Sequence, residues 1–354
     1  MPSLFDELSL RGVDFKNRIW VSPMCQYSAN NGFVGEWHKI HLGALATGLP
    51  GLIMVEATGV VPEGRISIGC LSIQDSEHAY AFKPIIEFAH SLNVKIGIQL
   101  AHSGRKGSTM RPGDDHRIAS ENEGGWKTIS ASALAFPGFP PPNELTISEI
   151  HALVASFTLA AEQAVNAGFD VIEIHAAHGY LFHQFYSPLT NKRNDEYGRS
   201  FEGRIRFLLQ VVEGVRNAIP NKTPLFVRIS ATDWVDGGWS LSDSIKLCSL
   251  LKTLGVDLID VSSGGNVADA IIPNQPGYQV PFASEIRIQS KIPTAAVGLI
   301  TKPLQAQNIL LDNHADAVFL GREMLRNPRW PLYAAEQLNV DTFWPVQIKR
   351  GKAN

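Results

Sequence analysis

Short runs of β-branched and apolar residues recur along the chain, and each is followed by a segment long enough for a helix. These runs are continuous rather than alternating, which is typical of parallel strands covered on both faces. Roughly eight units occur, the number that closes a (β/α)8 barrel, and 354 residues lie within the usual range of that fold. We therefore predict an α/β protein with a (β/α)8 TIM barrel, formed as a single domain over residues 1–354. The runs are IWVSP at 19–23, GLIMVEA at 51–57, VKIGIQLA at 94–101, DVIEIHA at 170–176, PLFVRIS at 224–230, DLIDVSS at 257–263, PTAAVG at 293–298 and ADAVFLG at 315–321.

A doubly wound open sheet is the alternative architecture, but no Gly-x-Gly-x-x-Gly follows the first run, so the barrel is favoured. Helix signals fall between the runs. The capping box from Thr146 to Glu149 predicts a long helix that reaches about Ala167 and ends at Gly168. Thr301 with Pro303 predicts the start of another.

One segment, residues 102–145, breaks the regular alternation after the third strand. It is rich in Gly, Pro, Ser and charge, as in GRKGSTMRPGDD and FPGFPPPN. So long an excursion between a strand and its helix is usually a functional lid or an irregular surface loop. We predict an extended loop or lid within the barrel domain.

Composition excludes several classes of function. The formal net charge is −3 and the pI about 6.4, so no basic excess exists to bind a nucleic-acid backbone. The amino terminus lacks a basic leader and an apolar h-region, and no apolar stretch is long enough to cross a bilayer. These features predict a cytoplasmic protein without a nucleic-acid or membrane partner. The three cysteines, Cys25, Cys70 and Cys248, form neither a disulfide framework nor a Cys-x-x-Cys metal motif.

In a barrel of this kind, chemistry collects at the carboxyl ends of the strands. These positions are unusually polar here. Strand by strand, they carry Pro23, Met24, Cys25, Gln26 and Tyr27; Glu56, Ala57 and Thr58; Gln99 and His102; His175 and His178; Arg228; residues 262–265; Gly298; and Gly321 and Arg322.

Two features at these ends indicate an anionic ligand. Glycines at the ends of the last two strands, Gly298 and Gly321, allow backbone N–H groups to approach an anion, and Arg322 adds positive charge. Ordinary βα turns that require glycine are the alternative. Arg228 is costly to bury unless an anion, a charge-accepting ring or an ion pair with Glu56 or Glu173 meets it.

The stretch HAAHGY places His175 and His178 three residues apart, with Tyr180 close behind. A catalytic zinc normally needs a third protein ligand, and no His-Glu-x-x-His or cysteine partner is present, so we predict no metal. Core histidines bonded to backbone are a second interpretation. The third is that both rings donate N–H bonds to one carbonyl oxygen, with Tyr180 near enough to supply a proton.

Five motifs, SPMCQY, QLAHSGRK, HAAHGYL, NKRNDEYGRS and GREMLRNPRW, occur in this order over almost the whole chain. As a set they resemble the old yellow enzyme family of FMN-dependent ene reductases, and Cys25 resembles the bacterial branch that includes the xenobiotic reductases. The family commonly has Tyr-Gly-Gly-Ser and Glu-Asn-Arg, where this chain has residues 197–200 (YGRS) and 202–204 (EGR). These departures affect expected loop geometry rather than the chemistry.

The resemblance implies a role for each matching residue. FMN would lie across the barrel mouth, and His175 and His178 would bind the oxygen of an α,β-unsaturated carbonyl or nitro compound. Tyr27 would contact the substrate, and Tyr180 would protonate Cα after hydride passes from flavin N5 to Cβ. The cofactor contacts would be Pro23, Met24, Cys25 and Ala57 along the ring, Gln99 and Arg228 at its pyrimidine edge, and Gly298, Gly321 and Arg322 near the phosphate, with Cys25 tuning the flavin potential.

Turnover implied by the resemblance is ping-pong: NADH or NADPH reduces the flavin and then leaves the same site for the substrate. Near the carboxyl terminus, VQIKRG resembles a segment that reaches a neighbouring subunit's active site, with Arg350 at the matching arginine. A homodimer or dimer-built tetramer is therefore expected. The alternatives are another FMN barrel oxidoreductase, of the 2-hydroxy-acid oxidase or dihydroorotate dehydrogenase type, and a non-redox barrel that binds a phosphate ligand.

Overall fold

Eight parallel strands close into a barrel in the computed structural model, which describes residues 2–113 and 117–352. Each predicted run overlaps one of these strands, and barrel strands that are neighbours in sequence are neighbours around the barrel, so the predicted (β/α)8 fold is confirmed. A two-residue pair of strands and an antiparallel hairpin lie outside the barrel. In chain order the strands are β1 Leu8–Leu10, β2 Val13–Phe15, β3 Ile19–Val21, β4 Leu52–Gly59, β5 Lys95–Ala101, β6 Ile129–Ser130, β7 Asn143–Glu144, β8 Val171–Ala176, β9 Leu225–Ser230, β10 Leu258–Ser262, β11 Thr294–Ala296 and β12 Ala317–Leu320.

Helices fill the intervals between the barrel strands. None of the helices in the described ranges is both long and apolar enough to cross a membrane. In chain order they are α1 Glu36–Ala46, α2 Ser76–Ala81, α3 Lys83–Ser91, α4 Ile147–Ala167, α5 Leu181–Tyr186, α6 Phe201–Ala218, α7 Leu241–Thr253, α8 Val280–Ser290, α9 Pro303–Leu311, α10 Arg322–Arg326 and α11 Trp330–Gln337.

Both helix starts predicted from the sequence can be compared with the structure. The box at α4 is confirmed: the backbone N–H of Glu149 donates to Thr146 Oγ1 at 3.2 Å, and Glu149 Oε2 accepts from the Thr146 N–H at 2.7 Å. Gly168 ends α4 with a left-handed φ of 108°. Pro303 is the first residue of α9, but the residue before it, Lys302, is the N-cap. Thr301 therefore lies one residue too early to cap this helix.

The amino-terminal end of the barrel is closed by apolar side chains. The β1–β2 hairpin lies beside this end and contributes Phe15, which packs against Trp20 of β3 with ring centroids 4.8 Å apart. Trp20 also stacks on Phe226 at 5.7 Å and meets the edge of Phe319 at 5.4 Å. These residues belong to a second apolar cluster, distinct from the larger one between strands and helices.

The excursion at 102–145 lies between β5 and α4. It contains helical turns at Gly104–Lys106 and Glu121–Glu123, and its two short strands β6 and β7 pair in parallel. Residues 114–116 of this segment lie outside the described residues. The segment begins directly after the carboxyl end of β5.

Candidate active site

The three aromatic side chains predicted from HAAHGY come together at the carboxyl end of β8. His175 is the second-last residue of the strand, and its ring centroid lies 5.2 Å from that of His178 and 5.1 Å from that of Tyr180. His178 and Gly179 form a turn with left-handed φ values of 57° and 71°. A Cβ at Gly179 would lie 2.2 Å from the carbonyl oxygen of Gly265, so the close approach of the two loops requires glycine here.

Burial keeps all three side chains uncharged near neutral pH. The pKa values of His175 and His178 are lowered well below the usual range, first by burial and then by the positive charge of Arg228. Burial raises the pKa of Tyr180 well above its usual value. The cluster therefore offers two neutral imidazoles and one protonated phenol.

Hydrogen bonds orient the two imidazoles differently. His175 Nδ1 accepts the backbone N–H of Ala177 at 3.3 Å, which leaves its proton on Nε2. His178 Nε2 lies 2.7 Å from Ser262 Oγ, so Nδ1 is the ring nitrogen of His178 that stays available. Ser262 Oγ is also 3.3 Å from Gln279 Oε1, which already accepts from the Ser263 hydroxyl at 2.6 Å.

Below this cluster, four neighbouring strands contribute a buried polar layer. Gln99 on β5 donates through Nε2 to Glu173 Oε1 on β8 at 2.8 Å. Arg228 Nε on β9 lies 3.0 Å from Asp260 Oδ2 on β10, without the alignment of a hydrogen bond. The ion pair of Arg228 is therefore with Asp260, and the alternative of an ion pair with Glu56 or Glu173 is corrected. These two residues are directly opposite each other in the β9–β10 register.

This layer holds more potential negative charge than positive charge, so its carboxyl groups resist ionisation. Burial and the neighbouring Asp260 raise the pKa of Glu173 to about 8, which leaves it protonated near neutral pH. Burial also raises the pKa of Asp260, to about 6, although Arg228 opposes this. Within the described residues, Glu173 Oε2, Arg228 Nε and both Asp260 oxygens lack a hydrogen-bond partner.

The three residues predicted for phosphate binding line one cavity of about 260 Å³. Gly298 follows β11 with a φ of 119°, and a Cβ there would lie 2.8 Å from Gln279 Nε2. Gly321 and Arg322 follow β12, and the Arg322 side chain is exposed. Two glycines that leave space beside an arginine suit an anionic group.

Residues 23–27 form a half-buried wall after β3, opposite the end of β4. Ala57 lies at a register shift of β4 and is 6% exposed. Glu56, next to it, accepts the Gln26 backbone N–H at 3.0 Å and lies 3.3 Å from His38 Nε2. Tyr27 takes a left-handed φ of 53° and has a pKa raised by burial, so it is a neutral phenol.

One residue of this wall, Cys25, belongs to a group that the sequence did not predict. The sulfur atoms of Cys25 and Cys70 and a carboxylate oxygen of Glu56 lie within 4.8 Å of one another. A hydrogen bond that the Cys25 thiol donates to Cys70, followed by burial, raises the pKa of Cys25 well above its usual value. Cys25 is therefore a neutral thiol rather than a thiolate nucleophile.

Two cations in QLAHSGRK also belong to the site, although sequence reasoning gave them no role. Lys106 Nζ donates to the His178 carbonyl at 2.9 Å and lies 5.2 Å from the centre of the Tyr180 ring. Arg105 donates to the carbonyl oxygen of Asn266 at 2.8 Å. The signal was their position, since both lie within five residues of the end of β5. Arg350, by contrast, is exposed in a helical turn at Lys349–Gly351, and no hydrogen bond or ion pair within residues 2–113 and 117–352 connects it to His175, His178 or Tyr180.

These features fit a flat ligand with a polar edge and an anionic tail. The wall at 23–27 can lie along a ring, the unsatisfied atoms of the polar layer can meet its polar edge, and the cavity at Arg322 can hold a phosphate. The sequence matches the model of the NADH:flavin oxidoreductase / NADH oxidase family over residues 3–341. The chain belongs to this family.

Named relatives agree with this membership. The NADPH dehydrogenase of Geobacillus thermodenitrificans is 48% identical over 351 residues, 98% of each chain, and that of Bacillus licheniformis is 46% identical over 350 residues. An old yellow enzyme homologue from Zymomonas mobilis superimposes with a TM-score of 0.78 at 28% identity, covering 99% of this chain and 98% of that one. Morphinone reductase in complex with tetrahydroNAD superimposes with a TM-score of 0.79 at 27% identity, covering 98% and 93%.

The family membership confirms the predicted class of activity. The chain is an FMN-dependent NAD(P)H oxidoreductase of the old yellow enzyme type. FMN and NAD(P)H are its cofactors, and small molecules are the substrates of this type of enzyme. The two alternatives, a different kind of FMN barrel and a non-redox phosphate-binding barrel, are not supported by these matches. The assignment to the cysteine-containing branch stays a prediction.

Proposed function

We propose that the chain is an ene reductase, which reduces the C=C bond of an α,β-unsaturated carbonyl or nitro compound at the barrel mouth. The observation that carries this proposal is the cluster of His175, His178 and Tyr180. The ring centroids of His178 and Tyr180 lie 5.2 Å and 5.1 Å from that of His175, and all three side chains are uncharged near neutral pH. The cluster offers two hydrogen-bond donors for an oxygen and one acid. An electron-poor alkene needs both.

Residues of the fold would hold FMN as the resemblance implies. Those along the ring are Pro23, Met24, Cys25 and Ala57; those at its pyrimidine edge are Gln99 and Arg228; and those near its phosphate are Gly298, Gly321 and Arg322. When bound, FMN supplies the redox chemistry that no side chain here provides, taking a hydride from NADPH or NADH and giving one to the substrate β-carbon. The Arg228 guanidinium favours negative charge at that edge, and the neutral Cys25 thiol would tune the cofactor's potential.

The two imidazoles would bind the substrate oxygen. His175 donates from Nε2, because its Nδ1 accepts from Ala177. For His178 to donate from Nδ1, the Ser262 hydroxyl must donate to Nε2, and the 2.7 Å distance to Nε2 is shorter than the 3.3 Å to Gln279. Donors fixed before the reaction stabilise negative charge that develops on the oxygen, since no reorganisation is then needed. Tyr27 would contact the substrate at the opposite wall.

Tyr180 would complete the reduction by giving its phenol proton to the α-carbon. A hydride at Cβ and a proton at Cα together saturate the double bond, so atoms and charge balance. The raised pKa of Tyr180 ensures that the proton is present at neutral pH. The phenolate then regains a proton from solvent through the half-exposed mouth.

Oligomeric assembly is part of this proposal. The segment after α11 carries Arg350, and its apolar side chains Phe343 and Val346 are 69% and 77% exposed. Such side chains are commonly covered by a partner chain. We propose that a second copy covers them in a homodimer or dimer-built tetramer, and that Arg350 reaches the neighbouring mouth.

Replacement of Tyr180 by Phe tests the proposed function. Oxidation of the reduced enzyme by an enone should slow by about 100-fold or more, because the acid is lost. Reduction by NAD(P)H should remain nearly unchanged, since that step needs no proton from Tyr180. Anaerobic stopped-flow absorbance measures both half-reactions. Tyr333→Phe, at an exposed tyrosine of α11, is the matched control. An equal loss in both half-reactions would contradict the role of Tyr180 as the acid.

A further inference from the structure

The Lys106 ammonium lies between the two loops that form the active site. Nζ donates to the carbonyl oxygens of His178 at 2.9 Å and Gly265 at 2.7 Å. It also lies 5.2 Å from the centre of the Tyr180 ring and 4.7 Å from that of Phe136, which belongs to the excursion at 102–145. One cation therefore contacts the turn that carries a proposed substrate donor and faces the ring of the proposed acid.

The turn held by Lys106 is a conformation that the chain resists. His178 takes a left-handed φ, which L-residues other than glycine rarely adopt, and Gly179 continues it. A Cβ at Gly265 would lie 2.7 Å from the His178 backbone, so the two loops touch. Their carbonyl oxygens converge on one ammonium, which satisfies both. Without that donor, two partly buried carbonyl groups would lose the hydrogen bonds that Lys106 gives them.

Among the residues that the structure describes, no carboxylate forms an ion pair with Lys106. Arg105 adds a like charge, the imidazoles of His175 and His178 are neutral, and Tyr180 and Phe136 present their rings. Burial, followed by the Arg105 charge, lowers the pKa of Lys106 to about 8. The ammonium charge is therefore only partly compensated, and it lies over the ring of Tyr180, the proposed acid.

We propose that Lys106 is a positioning residue for the reduction: its ammonium holds the His178–Gly179 turn in place and stabilises the Tyr180 phenolate that forms on proton transfer. This inference rests on the proposed function, because it needs Tyr180 to be the acid. A positive charge near the phenol lowers the cost of losing the proton, and the effect is strong where water is scarce.

The proposal predicts a specific pH dependence. Below pH 8 Lys106 carries its charge, and as the pH rises through about 8 that charge is lost. Oxidation of the reduced enzyme by an enone should therefore slow across this range. Arginine keeps its charge to much higher pH, so in Lys106→Arg this fall in rate, the alkaline limb of the pH profile, should move to higher pH. Lys106→Met carries no charge at residue 106 at any pH, so its pH profile should lack this limb.

The experiment measures the oxidative half-reaction from pH 6 to pH 10 for the wild type, Lys106→Met and Lys106→Arg, each loaded with FMN. Lys106→Met should slow oxidation by an enone by about 10-fold or more at pH 7, with reduction by NAD(P)H nearly unchanged. Lys106→Arg should recover part of the rate. Lys127→Met is the matched control, because Lys127 also belongs to the excursion and donates to a backbone carbonyl, that of Pro141, but is exposed.

Two results would overturn the proposal. One is a limb near pH 8 that is identical in the wild type and Lys106→Met. The other is an equal loss in both half-reactions without recovery in Lys106→Arg, which indicates a purely structural role. Failure of the proposed function is separate: Tyr180→Phe would then oxidise normally with an enone. If Tyr180→Phe is slow but Lys106→Met is not, only the role of Lys106 is wrong.

Discussion

The two ends of the barrel differ in the polarity of their buried side chains. At the amino-terminal end, Phe15, Trp20, Phe226 and Phe319 pack ring against ring, and all four are fully buried. At the carboxyl end, strands β5, β8, β9 and β10 carry a buried polar layer, and the cluster of His175, His178 and Tyr180 lies above it. Burial of apolar surface at the amino-terminal end stabilises the fold. At the carboxyl end, by contrast, charged atoms of Arg228 and Asp260 have no hydrogen-bond partner within the described residues.

This difference shows that the destabilising features of the barrel are concentrated at its carboxyl end. Unsatisfied buried polar atoms destabilise a fold, and a tightly packed apolar cluster elsewhere offsets that cost. Left-handed residues such as Tyr27 and His178 also lie at the carboxyl end. The comparison predicts that substitutions at the amino-terminal end change stability, while those at the carboxyl end change stability only when they leave a charge uncompensated.

The largest expected effect comes from Trp20→Ala. Trp20 is fully buried and contacts three other rings, so its removal leaves a cavity and should cost about 4 kcal/mol of unfolding free energy. Urea unfolding followed by circular dichroism measures this. Trp37→Ala, at a tryptophan of α1 that is 58% exposed, is the control and should cost far less. A similar loss in both variants would show that the apolar end is not the stabilising one.

A somewhat smaller effect is expected for Asp260→Asn. Arg228 would keep its buried charge without a counter-ion, which should destabilise the fold by about 3 kcal/mol. Saturating FMN should reduce this deficit if Arg228 faces the cofactor, because the bound ligand would then meet the guanidinium. Unfolding with and without added FMN measures both quantities, with Asp269→Asn as an exposed control. A deficit that FMN does not change would place Arg228 away from the cofactor.

The smallest effect is expected for Glu173→Gln, because Glu173 is already protonated near neutral pH. Its folded pKa is raised from 4.5 to about 8, so its contribution to stability is complete below pH 4.5 and is lost as the pH rises towards 8. Wild-type stability should fall over that range, and the variant should lack this component. Urea unfolding from pH 5 to pH 8.5 tests it, with Glu162→Gln on the exposed side of α4 as control. Parallel curves for wild type and Glu173→Gln would mean that Glu173 is ionised.

Local sequence patterns were sufficient for most of the fold. A strand run and the cap of α4 depend on residues within a few positions of one another, so the eight runs and the Thr146 box were predictable. The β1–β2 hairpin was not, since its three-residue strands are too short to show a period. The β6–β7 pair was not predictable for the same reason, since each of its strands has only two residues.

The site divides in the same way. His175, His178 and Tyr180 lie within six residues at the carboxyl end of β8, so their proximity could be predicted from the end of one strand. The partner of Arg228 depends on the register between two strands, because Arg228 is the fourth residue of β9 whereas Asp260 is the third residue of β10, and no local pattern gives that register. The approach of Cys70 to Cys25 depends on contacts between distant loops, such as the bond from Ala29 N–H to the Gly69 carbonyl.

The side chains that hold Phe136 have a consequence for protein engineering. Phe136 lies under both Arg105 and Lys106, and these two residues are tied to the carbonyl oxygens of Asn266 and Gly265 in the loop after β10. If residues 102–145 are replaced by the corresponding segment of another enzyme, only one side of this contact between the two loops is exchanged. The loop after β10 has to travel with it, and the two loops form one exchangeable module although more than a hundred residues of chain separate them.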